Sequence, residues 1–282
     1  WLHKYAPDGW VRPCWHQLGA ESGRMSCSEP NLQQIPRDAA YRRCFIPRDG
    51  CLFIKADYSQ IELRLAAKVA NEERMIRAFQ EGEDLHRLTA ARLRDKPLER
   101  VEKADRQLAK AVNFGLLYGM SPRGLQTYAR ADYDMELSSE EAKRLHREFF
   151  RTYPGLREWH ERLRQELEWC GPEGTYAART LFGRRRFIPA YHNGRPNLTE
   201  VANFQVQGLA ADGLKQALAL LWKHRGDCPE AHPVLFVHDE IVIEVPAEQA
   251  HEAQEWLIAG MHKGMQPLLD PVPCEVEAVI TA

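Results

Sequence analysis

The sequence predicts an α+β fold on three observations. β-rich runs stand near both ends of the chain, helical periodicity fills most of the middle, and no internal repeat or linker-like stretch divides it. Cys51 to Ala56 is a short apolar run that reads as a buried strand, and Ile61, Leu65 and Val69 then recur at helical spacing. Ser138 with Glu141 has the form of a capping box opening a helix on Ala142, Leu145 and Phe149. Pro154 restarts the register, and Leu156, Leu163 and Leu167 continue it. Residues 208–224 form another helix through Ala210, Leu214, Ala217 and Leu221. Val234 to Val237 and Ile241 to Val245 are two β-rich runs separated by His238-Asp239-Glu240, a hairpin signal. A helix over 247–262 and a strand over 274–280 complete the pattern.

Composition narrows the class. With 282 residues, 44% of them apolar, the chain can bury a sizeable core and is not disordered. No apolar run approaches the roughly 18 residues of a membrane span, and the start at Trp1 has no signal-like apolar core. The cysteines at 14, 27, 44, 51, 170, 228 and 274 include no CxxC pair, which predicts reduced thiols and a cytoplasmic protein rather than disulfides or structural zinc. The net charge of −2 argues against a strongly basic nucleic-acid binder, but it hides an uneven distribution. Residues 176–225 carry eight basic and two acidic side chains, whereas 226–282 carry one and eleven. The basic stretch, with Arg184, Arg185 and Arg186, suits phosphates or is simply a solvated surface; the acidic end repels phosphates unless cations intervene.

Three constellations carry chemistry. The run Asp57-Tyr58-Ser59-Gln60-Ile61-Glu62-Leu63-Arg64 follows the first strand, where a carboxylate is rigidly held. Asp57 suits a metal ligand and equally a helix cap, and the two roles are compatible. His238-Asp239-Glu240 occupies a turn, a place aspartate also takes for backbone reasons. If the two strands are sheet neighbours, Asp57 and Asp239 approach each other, and hard divalent cations relieve their repulsion. In the third, Arg106, Lys110, Phe114 and Tyr118 recur every four residues and form one slowly drifting helical stripe of two cations, then two aromatics. Such a stripe fits a polyphosphate followed by a base or sugar; the alternative is a core helix with snorkelling Arg and Lys.

Together the segments DYSQIELR, RxxxKxxxFGxxYG and VHDE resemble motifs A, B and C of the family A DNA polymerases, the bacterial polymerase I type, in that family's order. SGRMSCSEPNLQQIPR at 22–37, EGEDLHRLTA at 81–90, TLFGRRRFIP at 180–189 and NFQVQGLAAD at 203–212 match as well, so the resemblance spans nearly the whole chain. It implies a palm with a small antiparallel sheet and packed helices over 1–75 and 196–282, and mainly α-helical fingers over 76–195 with the motif B helix at about 103–119. The implied reaction is template-directed DNA synthesis: a primer 3′-hydroxyl attacks the α-phosphate of a deoxynucleoside triphosphate and pyrophosphate leaves. Asp57, Asp239 and the backbone carbonyl of Tyr58 would hold two Mg²⁺ ions, for which Mn²⁺ can substitute, with Glu240 in support.

By the same resemblance His86, Arg106 and Lys110 bind the triphosphate, and Lys110 is also general acid towards pyrophosphate. Gln60 belongs to the nucleotide-binding set, and Phe114 packs on sugar and base. Phenylalanine rather than tyrosine there implies discrimination against dideoxynucleotides. Glu62 with Tyr118 forms the gate that excludes a 2′-hydroxyl. Arg24, Asn31, Gln33, Asn203, Gln207 and His238 correspond to contacts with primer-template DNA; read alone, Asn203 and Gln207 equally suit helix-surface hydrogen bonds. The chain departs from the family at Leu198 and Thr199, where a Glu-Arg pair is usual, and in this it is closer to phage or divergent members. It also lacks sequence for the family's thumb and exonuclease domains, so the expectation is a monomeric palm-and-fingers fragment of a longer polymerase, without membrane contact, from a bacterial nucleoid or phage-infected cell. The rival readings are a primer-template or nucleotide-binding module inactive without its thumb, a single-subunit RNA polymerase, and a metal-dependent phosphatase on Asp57 and Asp239.

Overall fold

The computed structural model describes residues 1–36, 38–168, 174–191 and 194–281. Arg37, at the end of one matched stretch, and Cys170 lie outside them. In chain order the elements begin with α1 (Leu2–Tyr5), β1 (Cys14–His16), β2 (Ser26–Ser28), α2 (Ala39–Arg42) and β3 (Cys51–Tyr58). A helical stretch follows: α3 (Ile61–Ala70), α4 (Glu73–Gln80), α5 (Leu85–Arg94), α6 (Lys103–Leu117), α7 (Pro122–Tyr133), α8 (Ser139–Thr152) and α9 (Pro154–Glu168). The chain ends with β4 (Thr175–Arg179), β5 (Arg185–Pro189), α10 (Leu198–Lys223), β6 (His232–Val237), β7 (Glu240–Pro246), α11 (Ala250–Leu269) and β8 (Val276–Thr281). The α+β expectation holds, and no described helix is long and apolar enough to cross a membrane. Six of the seven cysteines are described, and all six are free thiols.

Two compact units divide the chain. The first comprises Trp1–Ile61, Gln207–Leu268 and Cys274–Ala282. Its centre is a four-stranded antiparallel sheet in the order β6-β7-β3-β8. Strand alternation divides the sheet by face: Ile54, Ala56, Ile241 and Ile243 are completely buried, while Lys55 and Asp57 point to the opposite side. Tyr58 follows the buried set, and its hydroxyl donates to the Met261 carbonyl of α11 at 2.8 Å. Helices α10 and α11 approach each other closely through glycine. A Cβ on Gly264 would lie 2.4 Å from the Ala217 backbone nitrogen, and one on Gly260 would lie 2.3 Å from the Leu221 side chain.

The second unit comprises Glu62–Val206 and Leu269–Pro273. Arg64, only 2% exposed, donates to the Pro273 carbonyl at 2.8 Å and lies 4.5 Å from the centre of the Phe79 ring. Buried Glu72 accepts from the backbone of Arg74 at 3.0 Å and of Gly155 at 2.6 Å, which joins α4 to the start of α9. Ser138 caps α8 as expected by accepting from the Glu141 N–H at 3.1 Å, but the Glu141 carboxylate turns to Arg94, 3.4 Å away, instead of closing a reciprocal box.

The largest differences from the sequence pattern have identifiable causes. α10 starts at Leu198, ten residues before 208, because Val201, Ala202, Phe204 and Val206 are already fully buried and Asn197 accepts from the Thr199 N–H at 2.8 Å. α11 continues to Leu269 because Met265, Leu268 and Leu269 are core residues, and Pro267 falls in its last turn. The basic stretch around Arg184, to which the sequence pattern assigned no element, forms the β4–β5 hairpin, turning at Gly183, which has φ +86°.

The α10–α11 contact yields a stability prediction. Gly264→Ala places a methyl against backbone that cannot rotate away, and a loss of about 1–3 kcal/mol is expected from overpacking. Urea unfolding followed by circular dichroism measures it, with the exposed Gly226→Ala as a control near zero.

Candidate functional site

Asp57 stands one residue from the end of the central strand β3, so the sheet holds it between two neighbours. Its register partners are Glu240 on β7 and Glu277 on β8. Residues directly opposite in adjacent strands share a face, and like charges there repel. Burial first, and then the charges of Asp239, Glu240 and Glu277, push the Asp57 carboxyl up to about 6, opposed by Lys55. Asp57 Oδ1 is buried without a hydrogen-bond partner. Lys55, two residues earlier on the same face, binds Glu240 at 2.6 Å. Glu240 is therefore already neutralised by the protein, and Asp57 is not.

Asp239 lies with His238 in the two-residue turn joining β6 and β7, and His238 has φ +58°, a conformation in which histidine is enriched among non-glycine residues. The hairpin expected from sequence is thus present, and it brings Asp239 into electrostatic range of Asp57. Among the described residues no group of three or more His, Cys, Asp or Glu side chains is arranged to hold a metal ion. A two-carboxylate site completed by a backbone carbonyl and waters remains, and oxygen donors alone suit Mg²⁺. An unpartnered, repelled carboxylate oxygen fits a cation. The Tyr58 side chain is turned into the core, where burial raises its phenol pKa, so only its backbone is available as a ligand.

In the second unit the motif B segment forms α6. From Leu108 to Tyr118 every residue is buried except Lys110 and Phe114. The stripe is therefore real but graded: Arg106, Lys110 and Phe114 are partly exposed, and Tyr118 sits buried at the C-cap. Arg106 Nε donates to Asp84 at 2.7 Å. Asp84 also caps α5, accepting from the backbones of His86 at 3.0 Å and Arg87 at 3.2 Å. Burial raises the Asp84 carboxyl, but these bonds outweigh it and hold the group below its usual range. The Phe114 ring lies 5.9 Å from that of His86. Burial, with Arg106 and Lys110 nearby, lowers His86 to about 4, so it is neutral at physiological pH. The Tyr118 hydroxyl donates to Glu62 Oε2 at 2.6 Å, so the two gate candidates touch.

The remaining candidates divide by what already occupies them. Gln60 has φ +52° and a buried Oε1 without a hydrogen-bond partner. The Gln33 amide donates to the carbonyls of Met25 at 3.1 Å and Phe236 at 3.0 Å, and Asn31 caps the short helical turn over Leu32–Gln34 by accepting from the Gln33 N–H at 3.0 Å. Both side chains thus have structural tasks. Arg24 is part-buried, and Asn203 and Gln207 lie four residues apart on one partly exposed face of α10. Of the basic stretch, Arg186 pairs with Glu200.

Four residues with evident roles around these sites escape the sequence reading. Lys55 was detectable from strand alternation, being two positions from Asp57. Asp84 had a capping signal, since it precedes a helix. Asn113 and His160 had none: Asn113 lies on the buried side of α6, and His160 reaches back from α9 to the Leu117 carbonyl at 2.9 Å.

Compared with solved structures, the chain has the fold of a polymerase domain. It is similar to the POL domain of Pol1 from M. smegmatis, solved in complex with DNA primer-template and dNTP, with TM-score 0.86 and 32% identity over 99% of this chain and 49% of that one. The chain belongs to DNA polymerase family A, whose family model matches residues 2–282. It is 40% identical to DNA polymerase I of Aquifex aeolicus over 99% of its own length and 47% of the relative's. Against the thermostable DNA polymerase I of Thermus aquaticus the figures are 38%, 93% and 31%. The chain thus spans 31% to 49% of the length of these proteins.

The crowding at Asp57 predicts a trade of stability for charge. Asp57→Asn removes the repelled carboxylate, and after discounting for its partial exposure to solvent about 1 kcal/mol of stabilisation is expected in EDTA. Millimolar Mg²⁺ should raise the melting temperature of the parent chain and leave that of the variant unchanged; thermal melts with and without Mg²⁺ measure both.

Proposed function

We propose that the chain is the catalytic core of a template-directed DNA polymerase, adding deoxynucleotides to a primer 3′-hydroxyl with release of pyrophosphate. The observation that carries this reading is the buried, unpartnered Asp57 oxygen beside the hairpin turn bearing Asp239, in a chain of this family. In the reaction the primer 3′-oxygen forms a bond to the α-phosphorus, the bond from that phosphorus to the bridging oxygen breaks, and pyrophosphate departs. Asp57, Asp239 and the Tyr58 carbonyl would hold two Mg²⁺ ions, with Mn²⁺ as a substitute. When bound, these supply a lowered pKa at the primer hydroxyl and charge neutralisation on the triphosphate.

The protein's own groups do the rest. Lys55 holds Glu240 in place beside Asp57. Arg106, oriented by Asp84, neutral His86 and Lys110 receive the triphosphate. Lys110 has no ion-pair partner among the described residues, which suits a side chain that gives a proton to the departing pyrophosphate. Phe114 packs on sugar and base, and Gln60 belongs to the same nucleotide-binding set. The Tyr118–Glu62 hydrogen bond closes the space a 2′-hydroxyl would need, because an added hydroxyl would break a part-buried bond to a carboxylate. Arg24, Asn31, Gln33, Asn203, Gln207 and His238 are assigned to primer-template; minor-groove acceptors are similar for all correct pairs, so such contacts test shape rather than sequence. Residues 1–75 and 196–282 are read as palm and 76–195 as fingers, and the whole as a monomer working in the cytoplasm.

A second reading is a module that binds primer-template and nucleotide without extending the primer. Extension of a primed template across protein concentrations, beside a binding titration at several salt concentrations, separates the two. Binding at saturation with no Mg²⁺-dependent extension would establish the module.

Asp57→Ala and Asp239→Ala should each abolish extension with unfolding curves retained, and normal extension by either would sink the polymerase assignment. Lys110→Ala should slow single-turnover incorporation by roughly 10²–10⁴-fold, the usual worth of a general acid. Glu62→Ala should admit ribonucleotides, measured as the ratio of dNTP to NTP incorporation; an unchanged ratio removes the gate.

A further inference from the structure

We propose that Asn113 is a positioning residue for His86: its amide fixes the imidazole in the tautomer protonated on Nε2, so that a neutral histidine presents an N–H donor to a phosphate oxygen of the nucleotide. This rests on the reading of His86 as a triphosphate-binding residue and goes beyond it by naming the device that makes it a donor.

Both side chains are shut away from water, His86 at 4% exposure and Asn113 at 1%. Asn113 Nδ2 lies 2.8 Å from His86 Nδ1. A neutral imidazole has one donor and one acceptor nitrogen, and whichever bond one nitrogen makes decides the state of the other. The charged groups facing His86 are Arg106 and Lys110 from α6 and Asp84 from the cap of its own helix, and the two cations with burial keep the ring neutral.

The orientation of the amide follows from what each choice leaves unpaired. As it stands, Asn113 Oδ1 is buried without a hydrogen-bond partner. Turned over, the amide would accept from a protonated Nδ1 and leave both N–H donors of its NH₂ buried without a partner. A bare acceptor is tolerated better in a protein interior than orphaned donors. The amide therefore donates, Nδ1 accepts, and the proton resides on Nε2.

The chemistry of the ligand makes the same demand. Triphosphate oxygens only accept hydrogen bonds, so a bare Nε2 would set one lone pair against another. Protonating the whole ring would solve that in water, but burial beside Arg106 and Lys110 forbids it. Fixing the tautomer is the remaining way to make this residue a donor. The placement of Asn113 serves this end, three residues after Lys110 on the helix that also carries Arg106 and Phe114.

The test begins with long-range ¹H–¹⁵N correlation on the labelled chain, with the His86 signals assigned by their loss in His86→Gln. The expected result is an unprotonated Nδ1 and a protonated Nε2; the reverse pattern overturns the proposal. In Asn113→Asp, nearly the same shape, the carboxylate accepts and the proton should move to Nδ1; an unmoved proton also overturns it. Affinity for dATP in the presence of primer-template, read by calorimetric titration, should fall about fivefold in Asn113→Leu, the worth of one hydrogen bond of about 1 kcal/mol. The same change made in His86→Ala should add nothing further. An equal loss in both backgrounds would mean that Asn113 is merely structural. If His86→Ala itself leaves affinity unchanged, the triphosphate reading of His86 fails, while the tautomer measurement still decides what Asn113 does to the ring.

Discussion

Electrostatic repulsion at one carboxylate is the constraint on which the first unit is built. A half-buried carboxylate flanked by three others is an unstable arrangement in an isolated protein, and only a rigid support keeps it. The support is β3, hydrogen-bonded on both sides, with one face sealed by Ile54, Ala56 and the Tyr58–Met261 bond. An edge strand with the same residues could twist or fray to separate the charges. Lys55 pairs with Glu240, and its relief of Asp57 does not outweigh burial and the neighbouring carboxylates, so the Asp57 carboxyl stays raised.

The second unit faces the converse problem, holding cations close together without letting them scatter. Arg106 is tethered by Asp84, and the same carboxylate starts the helix that carries His86. One aspartate therefore sets both a helix end and a guanidinium, which couples the local fold to the placement of that cation. At the other end of α6, His160 occupies the Leu117 carbonyl next to Tyr118. That carbonyl belongs to the last helical turn and has no partner within the helix, so a buried donor from α9 substitutes for water. His160 is neutral, since burial pushes it down to about 4, and its second ring nitrogen is left without a hydrogen-bond partner, so the helix end is held at some cost.

Much of the candidate site was legible because its residues are short-range features: Asp57 closes an apolar strand, Asp239 lies in a turn between β runs, and Arg106, Lys110 and Phe114 repeat at the helical period. The elements that failed to read correctly did so for reasons of burial. The start of α10 and the end of α11 are set by core contacts that periodicity alone does not show, and the β4–β5 hairpin has exposed Phe182 and Phe187 that imitate neither a strand core nor a helix face. Gln33 and Asn31 looked like ligand-facing polar residues and have backbone partners within the fold as well.

The sequence by itself determined the fold class, the family resemblance and the chemical type of each candidate, because these depend on residue identity and on spacing along one chain. Tertiary structure alone decided which charges are compensated and which are not. Lys55 with Glu240, Asp84 with Arg106, Tyr118 with Glu62 and Asn113 with His86 are pairings between groups 22 to 185 residues apart, chosen by sheet register and helix packing rather than by any local pattern. Hydrogen bonds and desolvation act over a few ångströms of space, whatever the separation in sequence, and so the protonation state of a side chain such as His86 is settled only when the chain has folded around it.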